Sequence, residues 1–305
     1  MNAMPEYPDL ENYREALLDH FTGTELTALE ILHPFVLRTV EPEPAALVGR
    51  PLRDVRRVAK RLVLDFGDEH FAVMHLMIAG RLRLEKNPRR SAPKRSAGNR
   101  LCRFVFAERA VLLREEGSKR RASLAIVRGM EALAGYDPGG IDLFEIDVDG
   151  FLTQLRRENR TLKRALTDQR LFAGIGNAYS DEILHAARLS PFKTTGHIGE
   201  EEAARLFTTA QQVLTEWTDR LREERRGGWP GKVTAFHPAM AVHGKYGRPC
   251  PVCGTEVQRI RYADNESNYC PRCQTDGTLL KDRALSRLLR DDWPARIEEL
   301  EGRQG

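Results

Sequence analysis

The sequence predicts an α+β chain of several domains, and three patterns carry that prediction. One helical stripe opens the chain, and alternating apolar residues then run to about residue 145. Beyond Gly150 the apolar spacing becomes helical, and two Cys-x-x-Cys pairs stand in the last fifth. With 305 residues the chain is long enough to bury a sizeable core and to divide into domains.

The first element rests on Leu10, Tyr13, Leu17 and Phe21, whose spacing predicts a helix after Pro8, with Asp9 as its cap and Gly23 at its end. From Arg56 the period is two: Val58, Lys60, Leu62, Leu64 and Phe66 share one parity, and Gly67–Glu69 turn the chain into HFAVMHLMIAGRLRL. Cys102, Phe104 and Phe106 read as a further strand, with Cys102 as a packed core thiol. After Gly150 come a stripe of Phe151, Leu152 and Leu155 and a second of Leu162, Ala165 and Leu166. A glycine turn, FAGIG, then leads to Asn177 as the expected cap of a helix through Ile183 and Leu184. That helix start could dock a phosphate or close a plain αα-hairpin. Gly227–Met240, rich in Gly and Pro, reads as a loop before the last module.

Charge and composition narrow the class. Hydrophobic residues at 41% and charged residues at 30% fit a soluble protein, and no apolar run approaches the ~20 residues of a membrane helix. A cytoplasmic chain with no membrane partner is expected. The net charge of +4 permits a polyanionic partner without demanding one. Asn87 to Arg100 concentrates five basic residues with no acid, either as a solvated loop or as a phosphate-contacting one.

Cys250, Cys253, Cys270 and Cys273 form two pairs, each from a tight turn, with 16 residues between them. Four thiolates on a short hairpin match a tetrahedral Zn2+ with no position left for a substrate, so one structural zinc per chain is expected.

Taken together, PEYPDLE, RRVAKRLVLDF, HLMIAGRL, LKRALTDQRLFAGIGNAYSDEIL and HGKYGRPCPVCG…YCPRCQ resemble the formamidopyrimidine-DNA glycosylase and endonuclease VIII family of base-excision repair enzymes, from Pro5 to about Gln274. The resemblance implies an N-terminal β-sandwich carrying the first helix (5–145), a helix-two-turn-helix domain (146–242), a zinc finger (243–275) and a C-terminal extension (276–305). The extension carries Leu280, Leu285, Leu288 and Leu289 at helical spacing, as a packed helix or a partner site. The partner it implies is double-stranded DNA with damaged bases or abasic sites, bound by a monomer.

The resemblance also assigns roles. Pro5, as a free N-terminal amine, is the nucleophile that attacks the sugar C1′, expels the damaged base and forms a Schiff base leading to strand cleavage. Pro5 follows Met4, so translation from Met4 with removal of that methionine would expose its nitrogen. Glu6 is the acid that protonates the opening sugar, and Lys60 is the lysine near the lesion. Asp9 matches a position usually filled by glutamate that helps hold the flipped base, beside its reading as a helix cap. Lys163 and Asn177 match residues gripping the phosphates. Ile78 stands where the family often inserts methionine into the emptied stack. Arg120, in SKRRASL, keeps an arginine but lacks the phenylalanine that usually follows. Asn265 replaces a finger arginine that clamps the lesion phosphate, and Arg261, on one strand face with Arg259, is placed to compensate.

These residues lead to a DNA glycosylase with associated abasic-site lyase activity on oxidised or ring-opened bases. The alternative is a paralogue that binds damage without cutting, favoured by Asn265 and the residues before Pro5. Pro5, Glu6 and Lys60 favour the enzyme.

Overall fold

The computed structural model describes residues 4–86, 98–117, 120–231, 235, 237–262, 266–281 and 294–301. The chain forms two compact units, one of Met1–Gly139 with Trp217–Thr234, the other of Gly140–Glu216 with Ala235–Gly305. Among the described residues no helix is long and apolar enough to cross a membrane.

The first unit begins with α1 (Tyr7–Phe21), which starts three residues earlier than predicted. Pro8 sits inside its first turn, where the missing N–H is an orphan anyway. Glu6, not Asp9, is the N-cap: the Glu6 carboxylate accepts from the Asp9 backbone, and Asp9 Oδ2 accepts from Glu6 N at 3.0 Å. This reciprocal pair satisfies two orphan groups at once.

The strands of this unit are β1 (Ala28–Ile31), β2 (Asp54–Val58), β3 (Arg61–Asp65), β4 (His70–His75), β5 (Gly80–Lys86), β6 (Arg100–Phe106), β7 (Arg109–Glu115) and β8 (Ser123–Arg128). They build two antiparallel sheets, ordered β1-β6-β7-β5 and β2-β3-β4-β8. One core joins their inner faces: Leu62, Leu64, Ala72, Met74, Leu124 and Ile126 from one sheet, and Leu82, Cys102, Phe104, Phe106, Val111 and Leu113 from the other, with Leu10, Tyr13, Leu17 and Phe21 of α1. The opposite parity, Val63, Phe71, Val73 and Val127, is buried separately under Leu133 of α2 (Met130–Ala134). The β-sandwich with its N-terminal helix is therefore present as expected.

Two strand readings need correction. The run Arg56–Phe66 is a hairpin rather than one strand, since Ala59 (φ 49) and Lys60 turn the chain between β2 and β3. Val58 consequently packs on the outer cluster, away from Leu62 and Leu64. The run from Phe71 to Leu84 also breaks, and β4 and β5 lie in different sheets. Gly80 makes that break possible: its N donates to Leu76 O at 2.8 Å, and a Cβ there would stand 2.2 Å from the same oxygen.

The second unit contains α3 (Val148–Leu155), α4 (Leu162–Thr167), α5 (Asn177–Ala186), most of α6 (Glu200–Arg225), β9 (Gln258–Arg261), β10 (Glu266–Tyr269), α7 (Pro271–Thr275) and α8 (Ile297–Glu301). In its core Phe151 packs tilted against Phe172 and Phe207, with ring centroids 4.9 and 5.3 Å apart. The N-cap of α5 is Gly176 rather than Asn177, which is the first helical residue. Of the leucine stripe expected in the extension, Leu285, Leu288 and Leu289 lie outside the described residues. The chain beyond the finger is tied back on itself, because Leu279 N donates to Ala295 O at 2.9 Å and Ile297 N to Gly277 O at 2.8 Å.

Candidate nucleic-acid and catalytic site

In the first unit, α1 and the β2–β3 turn bring Pro5, Glu6, Asp9 and Lys60 into one neighbourhood. Pro5 is buried, and Glu6 is only 3% exposed. Burial holds the Lys60 ammonium below the usual lysine range, and the negative charge of Glu6 works against that shift. A lysine so placed gives up its proton more readily than a surface lysine. His75, at the end of β4, is pushed down to about 4 by burial and by the charges of Arg61 and Lys60, so its ring is neutral at physiological pH.

Arg57 fixes this arrangement and was not singled out from the sequence. Its guanidinium lies 4.1 Å from the Tyr7 ring centroid, donates to Glu11 at 2.9 Å and caps Ala59 O at 3.0 Å. One side chain thus locks the turn carrying Lys60 to the helix carrying Glu6. Asp9 has its own hydrogen-bond duty at the Glu6 backbone, so it acts on the site by holding Glu6 in place.

Ile78 projects from the β4–β5 turn with 42% of its surface exposed. Arg81 braces that turn by donating to the carbonyls of Ile78 and Gly80 at 3.2 and 2.6 Å. Arg120 contacts His33 and donates to Gly98 O at 2.7 Å. The loop that bears it is held by buried Glu115, which accepts from Arg121 N at 2.7 Å and Ala122 N at 3.2 Å.

In the second unit, Lys163 turns inward. It is 7% exposed, forms a salt bridge to Asp181, and donates to Asn177 O at 3.1 Å and Ser180 Oγ at 3.2 Å. Its ammonium thereby anchors the first turn of α5. The Asn177 side-chain Oδ1 is buried and has no hydrogen-bond partner among the described residues. Asp181 is a hub that the sequence did not reveal, accepting also from His243 Nδ1 at 2.8 Å, Ser267 Oγ at 3.2 Å and Asn268 N at 3.1 Å. Burial pushes its carboxyl up, but Lys163 and His243 outweigh that and hold it below the usual range. The neighbouring Glu182 accepts from three consecutive backbone groups, Ala241, Val242 and His243, at 2.7, 2.9 and 2.9 Å.

The finger hairpin pairs Arg261 with Glu266 and Arg259 with Asn268. Arg259 lies 4.3 Å from the Tyr246 ring centroid, and Arg261 is exposed at the strand end. Asn265 lies outside the described residues. At the base of the hairpin the sulfurs of Cys250, Cys253, Cys270 and Cys273 all lie within 4.8 Å of one another. Tetrahedral ligands ~2.3 Å from a zinc ion stand nearly 4 Å apart, so the four thiolates fit one Zn2+.

Three family profiles match the chain in order: the formamidopyrimidine-DNA glycosylase N-terminal domain over residues 4–120, its H2TH domain over 137–220, and the zinc finger found in FPG and IleRS over 247–275. The chain belongs to the formamidopyrimidine-DNA glycosylase family. It is 33% identical over 285 residues to the formamidopyrimidine-DNA glycosylase of Thermus thermophilus, covering 90% of this chain and 100% of that one. The corresponding protein of Heliobacterium modesticaldum is 30% identical over 282 residues, covering 89% and 100%. A crystal structure of Lactococcus lactis Fpg in complex with DNA containing an oxidized pyrimidine superposes with a TM-score of 0.76 at 26% identity, over 89% of this chain and 100% of that chain. As a member of this family the protein is a DNA-repair glycosylase with one structural zinc.

Proposed function

We propose that this glycosylase excises oxidised or ring-opened bases from double-stranded DNA and cleaves the resulting abasic site, with the Pro5 nitrogen as nucleophile. The observation that carries the reading is the junction of Pro5 with a buried, capped Glu6 beside Lys60, whose ammonium burial makes easier to deprotonate. Once the chain begins at Pro5, Glu6 protonates the ring oxygen as the C1′–O bond opens and the Pro5 secondary amine adds to C1′. The C1′–base bond then breaks as the base departs with the amine proton, leaving an iminium between Pro5 and C1′. Loss of a C2′ proton then expels the 3′ phosphate. Ile78 fills the gap left by the flipped nucleotide, and Arg120 contributes a further DNA contact. The α5 N-terminus with Asn177 receives a backbone phosphate, Lys163 holding that turn in shape, and Arg261 supplies the finger's phosphate contact.

Borohydride reduction tests the reading, because an imine is reduced to a stable bond. Protein beginning at Pro5 is expected to be trapped on abasic or lesion DNA, and protein beginning at Met1 is not. Absence of trapping with the Pro5 form removes the lyase and moves the damage-binding alternative ahead. Equal trapping of both forms assigns the nucleophile to another amine, of which Lys60 is the first to examine.

The finger makes a separate prediction. Cys250→Ser or Cys273→Ser is expected to lose zinc and lesion-DNA binding while the β-sandwich, which has its own core, still melts cooperatively. Metal analysis, DNA titration and calorimetry check it together; tight DNA binding by a zinc-free variant would contradict it.

A further inference from the structure

α5 presents a line of polar groups to the finger, one per turn: Asp181 to Ser267 and Asn268, His185 to Cys250, and, just past the helix, Leu189 O to Gln274 Nε2 at 2.9 Å. The middle contact differs in kind from the others. His185 Nε2 lies 3.3 Å from Cys250 Sγ, and both side chains are shut away from water, His185 at 5% exposure and Cys250 at 2%. Four thiolates around one Zn2+ leave a net charge of about −2, which needs hydrogen-bond donors wherever it is buried. A zinc-bound thiolate has no proton, so it only accepts. The hydrogen between His185 and Cys250 must therefore sit on Nε2.

We infer that His185 is a positioning residue of the zinc centre, donating an Nε2–H···S hydrogen bond to the Cys250 thiolate and fastening the metal knuckle to α5. The backbone already shapes that knuckle, with Cys250 N donating to Thr255 O at 2.8 Å and Gly254 N to Cys250 O at 2.9 Å. His185 adds what the backbone of the knuckle does not: a bond from another element to the sulfur itself. It draws charge from the thiolate and fixes the direction of its lone pair. Metal retention and the seating of the finger on α5 are thereby linked through one ring.

Two measurements test this. In the full-length protein with 113Cd in place of zinc, the His185 Hε2 proton is expected to show scalar coupling to the metal through the N–H···S bond. A His185 ring without a hydrogen on Nε2, or with that hydrogen and no coupling, would overturn the inference. In the second, metal transfer to a chelator is followed for His185→Phe, which keeps ring volume but lacks a donor, and for His185→Gln, which restores an N–H. His185→Phe is expected to weaken metal affinity about ten- to a hundredfold and to shift the thiolate-to-metal charge-transfer band of the cobalt form. His185→Gln is expected to recover most of both. Unchanged band and affinity in His185→Phe, or equal losses in both variants, would show that the ring only fills space. If His185→Phe does not fold, the 113Cd coupling in the unmodified protein decides.

Discussion

Glu6→Gln is expected to abolish most base excision while leaving lesion DNA bound. The amide keeps an acceptor for the Asp9 backbone, so the start of α1 and the place of Pro5 are preserved. On the role proposed for Glu6, what is lost is the proton for the opening sugar, an effect of about 10²- to 10⁴-fold in the chemical step. Single-turnover excision measures the loss, fluorescence anisotropy measures binding, and thermal unfolding verifies that the fold persists. The change has a second consequence at Lys60. Since the charge of Glu6 is what raises the Lys60 pKa against burial, the lysine becomes still easier to deprotonate in the variant. Excision within tenfold of the unmodified enzyme would remove Glu6 from its role as acid.

The second large effect is on stability. Asp181→Asn leaves the buried Lys163 ammonium without its counter-charge and turns one of the two oxygens that serve His243, Ser267 and Asn268 into an amide donor, and breaking a buried pair in this way costs about 3–5 kcal/mol. The pH dependence has a definite sign. The Asp181 carboxyl is held below its ordinary value in the folded protein, so its stabilisation is fully present above ~pH 4 and is lost as the pH falls through the folded-state value. Denaturant unfolding is therefore expected to show a wide gap between the two proteins at pH 7 that narrows in acid. A gap under about 1 kcal/mol at pH 7 would mean that the network is not held through this residue.

Much of this was legible in the sequence because the responsible signals are local. The zinc ligands declare themselves through spacing, and Leu10, Tyr13, Leu17 and Phe21 fill one buried stripe of α1. The breaks at Ala59 and Met77 were not legible. Both turns place a non-glycine residue at positive φ, 49° and 52°, where the usual glycine or asparagine marker is absent. Alternation ran straight through them and hid a hairpin and a change of sheet. Asp9 and Asn177 were misplaced at helix starts by the same cause: Pro8 and Gly176 look like the end of a loop, whereas one lies inside the first turn and the other is the cap. Arg57, Asp181 and His185 escaped notice because their partners lie 46 to 87 residues away, at Glu11, Asn268 and Cys250, beyond any periodic pattern.

The segment Trp217–Thr234 completes the first unit although it comes after most of the helical one. Trp229 packs tilted against Tyr13 and edge-on against Phe21 and donates to Leu82 O at 3.0 Å, while Arg222 and Arg225 reach back 207 and 206 residues to Glu15 and Asp19. On a ribosome adding roughly 5–20 residues per second, α1 would wait about 10–40 s for these partners to be made. For that interval the nascent sandwich carries an uncovered aromatic patch, a foothold for chaperones and a hazard for neighbouring chains. A fragment ending near residue 139 therefore lacks the Trp229, Arg222 and Arg225 contacts that complete the first unit.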